Sequence, residues 1–474
     1  MFRSVIPALV AVALTACGGG GSGVPNTTDY RLAPNEIVSL SSDATSLVAT
    51  VEPTTPSSPV VNETRLLLST VGSILYPNSF IPSIVGGDFK GNGSKYAVIS
   101  GWVVSQTGTP PVKIYKFNND GTATDATIDV LGANFSISVH YPVVADFNRD
   151  GVDDIFFAGF TDAPYQDENP SVVFLSRPGL PHQKIELDGL VHSHGSTAVD
   201  INQDGWLDVI NSAGDIWVNN ANNGFNFVRR TIGQSFAGSG VCSGDFDGSG
   251  TTQLVVTDFT DGSNNVRDTW IFKFRPDLTH YKVANLPTPI FDRNSVGSSY
   301  SHDVTCMVAD FNNDGRQDIV VISYSHNLTL VRASGPQSMV QVYYNQGNYV
   351  FSDSTESNLT GYYQGVLASY TPRVLDFNND GKPDVWISNT SSTTPGAQIW
   401  LNNGNETFVQ KKQNEILSLL TEYRILSNGI PNTLGTMLPI KINNKWNFIV
   451  TSFTGSNTLE MTLNIGYANT QWSF

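Results

Sequence analysis

The nine residues Asp310-Phe311-Asn312-Asn313-Asp314-Gly315-Arg316-Gln317-Asp318 carry oxygen-bearing side chains at positions 1, 3, 5 and 9, with glycine at 6. Asp310, Asn312, Asp314 and Asp318 offer hard oxygen donors, and the backbone carbonyl of Arg316 at position 7 offers another. A sharply turned loop with that donor set suits Ca²⁺. The pattern recurs at Asp146, Asn148, Asp150, Val152 and Asp154, and at Asp200, Asn202, Asp204, Trp206 and Asp208. Its fourth copy is Asp376, Asn378, Asp380, Lys382 and Asp384. A weaker copy keeps Asp245, Asp247, Ser249 and Thr251 but ends in Gln253. A degenerate one runs from Asp88 to Tyr96, with Lys90 at a ligand position. About four to five Ca²⁺ sites are expected.

A second set of chemically capable residues lies at a fixed distance before the loops. His140, His194 and Tyr370 stand six residues before a loop's first aspartate, and His192 and His302 stand eight before. Six and eight share parity, so on an extended strand these side chains point the same way. At ~3.3 Å per residue they are separated from the cation loops by roughly 15–20 Å. Three readings are open: polar lining of a wet channel mouth, a glycan or peptide site with Tyr141 and Tyr300 nearby, or a catalytic site. The last would use a transition metal held by imidazoles, or His/Tyr acid–base chemistry on a polysaccharide. No nucleophile elbow, phosphate-binding loop or HExxH stretch is found, and Gly86-Gly87 lacks the surroundings of a dinucleotide fingerprint.

The elements that position these residues are strands. An EF-hand requires Glu at position 12 and flanking helices, whereas position 12 is Phe157, Asn211, Val321 or Ile387. Apolar, strand-forming runs such as Val143-Val144-Ala145 and Ile319-Val320-Val321-Ile322 flank the loops instead. An outer hairpin follows, as in Val342 to Phe351 and Ile399 to Phe408, with Asn-rich turns. First loop positions at 88, 146, 200, 245, 310 and 376 give a unit near 60 residues. A seventh unit without ligands fits Leu438–Ile442 and Trp446–Val450, with its outer hairpin over Ile465–Phe474. The expectation is all-β, a seven-bladed β-propeller of four-stranded antiparallel blades. Phe147, Phe311 and Phe377, at loop position 2, are expected to pack between blades.

The DFNxDGxxD loops followed by apolar strands, with an outer Asn-x-Gly hairpin, resemble the FG-GAP/VCBS repeats of integrin-α-type propellers. The resemblance covers 63–474. It implies calcium-stabilised blades, with the loops on the face away from the ligand, so the ions act as structural clips.

The chain begins with a targeting pattern. Arg3 precedes an apolar run at Val5–Ala13, too short to span a bilayer, and Leu14-Thr15-Ala16-Cys17 follows. This resembles a bacterial lipoprotein signal (1–17) lipidated at Cys17, and Gly18 after it favours the outer membrane. Residues 18–62 are rich in Gly, Ser, Thr and Pro and read as a flexible linker. Formal net charge is −16, or −17 without Arg3, which argues against a nucleic-acid partner. Four bound divalent ions would return eight of those charges. Cys242 and Cys306 stand three and four residues before Asp245 and Asp310. Their opposite parity is expected to place them on opposite faces as two buried thiols, not as a disulfide.

Together these features suggest an outer-membrane-anchored lipoprotein whose propeller binds a glycan or surface protein. A polysaccharide-active, lyase-like enzyme and an envelope-assembly scaffold are the alternatives. Oligomeric state is not encoded in any of these features.

Overall fold

The computed structural model describes residues 69–76, 80–103, 109–118, 123–140, 142–159, 170–188, 194–221, 226–231, 240–257, 269–290, 301–325, 338–360, 372–387, 398–412, 437–442, 445–454 and 459–468. Cys17, His192, Tyr370, Tyr141, Tyr300 and the 18–62 linker lie outside them. No described helix is long and apolar enough to cross a membrane.

Alternating apolar runs form a chain of antiparallel meanders. Blade 1 is Phe80–Gly87, Lys95–Val103, Pro111–Phe117 and Ala123–Asp125. Blade 2 is Pro142–Ala145, Asp154–Phe157, Val172–Arg177 and Leu180–Glu186. Blade 3 is Ser196–Val199, Asp208–Asn211, Asp215–Asn220 and Asn226–Thr231. Blade 4 is Val241–Gly244, Gln253–Val256, Trp270–Phe274 and His280–Asn285. Blade 5 is Ser301–Ala309, Asp318–Ser325, Ser338–Asn345 and Phe351–Asp353. Blade 6 is Arg373–Leu375, Asp384–Ile387, Gln398–Gly404 and Thr407–Lys412, with Leu359–Thr360 added in parallel at its edge. The first strands of successive blades touch one another, which places them nearest the axis. The fold is thus an all-β propeller of four-stranded antiparallel blades.

Among the described residues six blades of this kind are built, not the expected seven. The presumed seventh unit departs from the repeat. Met437–Ile442 pairs with Lys445–Thr454 as foreseen, but Lys445–Thr454 continues into a long hairpin with Leu459–Ala468. The fourth strand of that sheet is Ser69–Tyr76, from the other end of the described chain. The nine-residue step of blades 5 and 6 therefore does not carry over to Ile465–Phe474. A ten-residue strand at Leu459–Ala468 already fills the third place and offers its free edge to Ser69–Tyr76.

Packing runs between blades. Each of five apolar clusters draws on two neighbours, for example Val143, Phe156 and Val173 of blade 2 against Val209, Trp217 and Phe227 of blade 3. Phe147 meets Phe227 edge to face with centroids 5.7 Å apart, and Phe311 meets Phe408 of blade 6 at 5.9 Å. These two position-2 phenylalanines do pack across blade contacts. Phe377 is also fully buried and stacks on Trp386 of its own blade. Arg373 of blade 6, itself buried, donates to the Ile84 carbonyl of blade 1.

Cys242 and Cys306 form a disulfide, with Cα atoms 5.8 Å apart. The expectation of two thiols was wrong because its parity argument compared faces within one kind of sheet. Neighbouring blades meet front to back. Cys242 lies on the face of blade 4 turned to blade 5, with Val255 and Ile271, and Cys306 on the opposite-sense face turned back to it, with Ile319 and Val321. Opposite parity is what a bond between adjacent blades requires.

Candidate cation loops and the opposite face

Every loop joins the first and second strands of a blade, and its own side chains fold it. In the loop at Asp146, Oδ1 accepts from the Asp150 amide at 3.1 Å and Oδ2 from the Gly151 amide at 2.9 Å. The same two bonds recur at Asp200, Asp310 and Asp376, each within 2.8–3.0 Å. Asn148 Oδ1 accepts from Asp150, and Asp150 Oδ1 accepts from Val152. Gly151 takes φ 81°, in the left-handed region where glycine is least strained. Position 4 is left-handed too, at Arg149, Gln203, Asn313 and Asn379, with φ between 58° and 61°. Sequence reading marked the glycine and missed this second turn; only the Asn at 313 and 379 hinted at it.

The ninth aspartates differ from the others. Asp154, Asp208, Asp318 and Asp384 are completely buried. One oxygen accepts from the amide at loop position 2 (Phe147, Ile201, Phe311, Phe377) and the other from an amide of the third strand (Ser176, Asn219, Asn345, Asn402). Burial pushes all four carboxyls up to about 7, and the neighbouring loop aspartates push in the same direction.

Among the described residues, no three His, Cys, Asp or Glu side chains are gathered as a preformed metal group. The carboxylates are held by loop amides instead. The donor set nevertheless fits a hard cation: two carboxylates and an amide oxygen on the loop, a carbonyl at position 7, and a buried carboxyl at position 9.

A further group was not anticipated. Asn219, Asn345 and Asn402 each donate a side-chain N–H to the position-2 carbonyl of the preceding blade, Phe147, Phe246 and Phe311, at 2.7–2.9 Å. Each thereby ties a loop's ninth aspartate to the loop next door. In sequence Asn345 and Asn402 read only as turn formers of the outer hairpins, and nothing singles out Asn219. Asn402→Ala leaves the Phe311 carbonyl and its surroundings without that donor. It is expected to destabilise the protein by about 1–3 kcal/mol, measured by guanidinium unfolding; a change within error would show the bond to be dispensable.

At the other end of the first strands, His140 and His194 precede blades 2 and 3. Both are buried and their rings lie 5.0 Å apart, tilted by 50°. The structure brings these two of the five singled-out residues together. His302 lies on the first strand of blade 5, paired in register with Tyr324.

The family model of the FG-GAP-like repeat matches residues 88–157 and 310–387. These stretches run from the loop of blade 1 through the second strand of blade 2, and from the loop of blade 5 through the second strand of blade 6. No curated protein matches the chain. Among solved structures it is similar to the N-terminal domain of Nup159, at 10% identity and TM-score 0.41 over 87% of this chain and 98% of that one. It is also similar to a rhamnogalacturonan lyase PL11 of Bacillus licheniformis, at 12% identity and TM-score 0.26. That match covers 84% of this chain and 57% of the lyase, so the chain spans a little over half the lyase's length. The chain is a β-propeller that carries FG-GAP-like repeats.

Proposed function

We propose that this protein is a calcium-stabilised binding module, anchored at the outer membrane through a lipid on Cys17, that captures a glycan or a surface protein. The observation that supports it is the repetition, in four blades, of one hydrogen-bonded loop frame next to a completely buried ninth aspartate. Asp146, Asn148, Asp150, Asp154 and the Val152 carbonyl would hold one ion, and their counterparts at 200–208, 310–318 and 376–384 one each. Asp146 and Asp154 and their counterparts would hold such an ion between the two ends of each loop, where it would supply positive charge and no chemistry. The ligand face is the end of the first strands where His140 and His194 sit.

The test uses the purified body without its lipid. Four equivalents of calcium after dialysis are expected, together with saturable binding to a polysaccharide or surface-protein panel and no product. Shortened polysaccharide would instead establish an enzyme. A stable co-purifying envelope partner with no panel binding would establish a scaffold. Palmitate labelling is expected to disappear in Cys17→Ser; labelling that persists would remove the anchor.

A further inference from the structure

The loop of blade 4 has the frame of its relatives but not their charge. Asp245 accepts from Ser249 and Gly250 as the other first aspartates do, at 3.1 and 2.8 Å. At the ninth position Gln253 Oε1 accepts from the Phe246 amide at 2.7 Å, the bond that an aspartate oxygen makes elsewhere. Its Nε2 is new. It donates to the Thr251 carbonyl at 2.5 Å and to Asp247 Oδ1 at 3.2 Å, the position-7 and position-3 donors of a cation loop.

A second positive group approaches from the third strand. Lys273 is the cross-strand partner of Gln253. Its Nζ donates to Asp247 Oδ2 at 2.7 Å and to Ser249 Oγ at 3.4 Å, the position-3 and position-5 donors. Tyr349 of blade 5 donates to the same Asp247 oxygen at 2.5 Å. Where the register of the second and third strands continues by one residue, the ninth aspartate of the full loops faces Leu175, Val218, Tyr344 or Leu401. None of these carries charge. Arg316 and Lys382 do reach Asp314 and Asp380 in blades 5 and 6, but those loops keep their ninth aspartates.

A full loop has three carboxylates among its donor positions; a divalent ion would leave −1 in blades 2 and 3 and, with Arg316 and Lys382 counted, 0 in blades 5 and 6. Blade 4 has Asp245 and Asp247, and the Lys273 ammonium also leaves −1. We propose that Lys273 and Gln253 are built-in substitutes for the ion, so that the loop Asp245–Gln253 folds without metal while its four full relatives take one each. On this proposal the fifth loop, which the sequence marks as a weaker copy, takes no ion. This rests on the calcium reading of the full loops.

The experiment compares wild type, Gln253→Asp and the double variant Gln253→Asp/Lys273→Leu by elemental analysis and calcium titration calorimetry. Four equivalents are expected in wild type and in the single variant, and five in the double variant. Should the double variant be unfolded in EDTA, refolding on calcium addition reads the same gain. Five equivalents in wild type overturn the proposal, as does a folded double variant with no added equivalent. A wild-type count below four overturns the calcium reading of the full loops; the gain of one in the double variant still decides the substitution separately.

Discussion

Transfer of the protein from calcium at a hundred times its dissociation constant into excess EDTA is expected to lower the melting temperature by roughly 10–15 °C. Each site then contributes about 2.7 kcal/mol by mass action, and four sites about 11 kcal/mol. With an unfolding entropy of about 2.1 cal/mol/K per residue over a body of about 400 residues, that free energy corresponds to a shift of about 13 °C. Magnesium is expected to restore little of it, because Mg²⁺ demands a smaller octahedral shell and gives up water reluctantly. Scanning calorimetry checks the result. Identical melts in EDTA and calcium would mean that the loop amides alone hold the carboxylates, and the proposed role of the loops would be lost.

The second large effect concerns Cys242 and Cys306, which close a loop with a sequence separation of 64. In the chain-entropy treatment a bridge of that span stabilises by about 4 kcal/mol. The double variant Cys242→Ala/Cys306→Ala is therefore expected to melt about 5 °C lower than wild type. Alkylation of the unfolded, unreduced protein is expected to label neither residue. Two labelled cysteines would show that the bond is absent, and the melting comparison would then measure only lost packing.

Much of this was legible along the chain. The donor positions of the loops, the strands on either side of them and the burial of Phe147, Phe311 and Phe377 follow from local spacing, because a turn and a period of two are written in consecutive residues. What sequence reading missed is what lies across an interface. Cys242 and Cys306 meet between blades, where the relevant parity is inverted. Asn345 and Asn402 look like turn residues, and nothing singles out Asn219, until their partners on the preceding blade are seen. Lys273 belongs to no motif at all; it matters only because register sets it opposite Gln253. The strand Ser69–Tyr76 lies outside any repeat, and its partner Leu459–Ala468 is separated from it by nearly the whole chain.

That last pairing has a consequence for biosynthesis. A chain made from its N-terminus presents Ser69–Tyr76 early, while the strand that pairs with it is among the last to be made. Until then Ser69–Tyr76 is a β-forming segment without its partner strand, the condition under which strands recruit other chains. So non-local a contact also slows folding. Nascent and truncated forms are thus the aggregation-prone species, and a chain ending after Lys412 would keep all six blades yet lack every strand that pairs with Ser69–Tyr76.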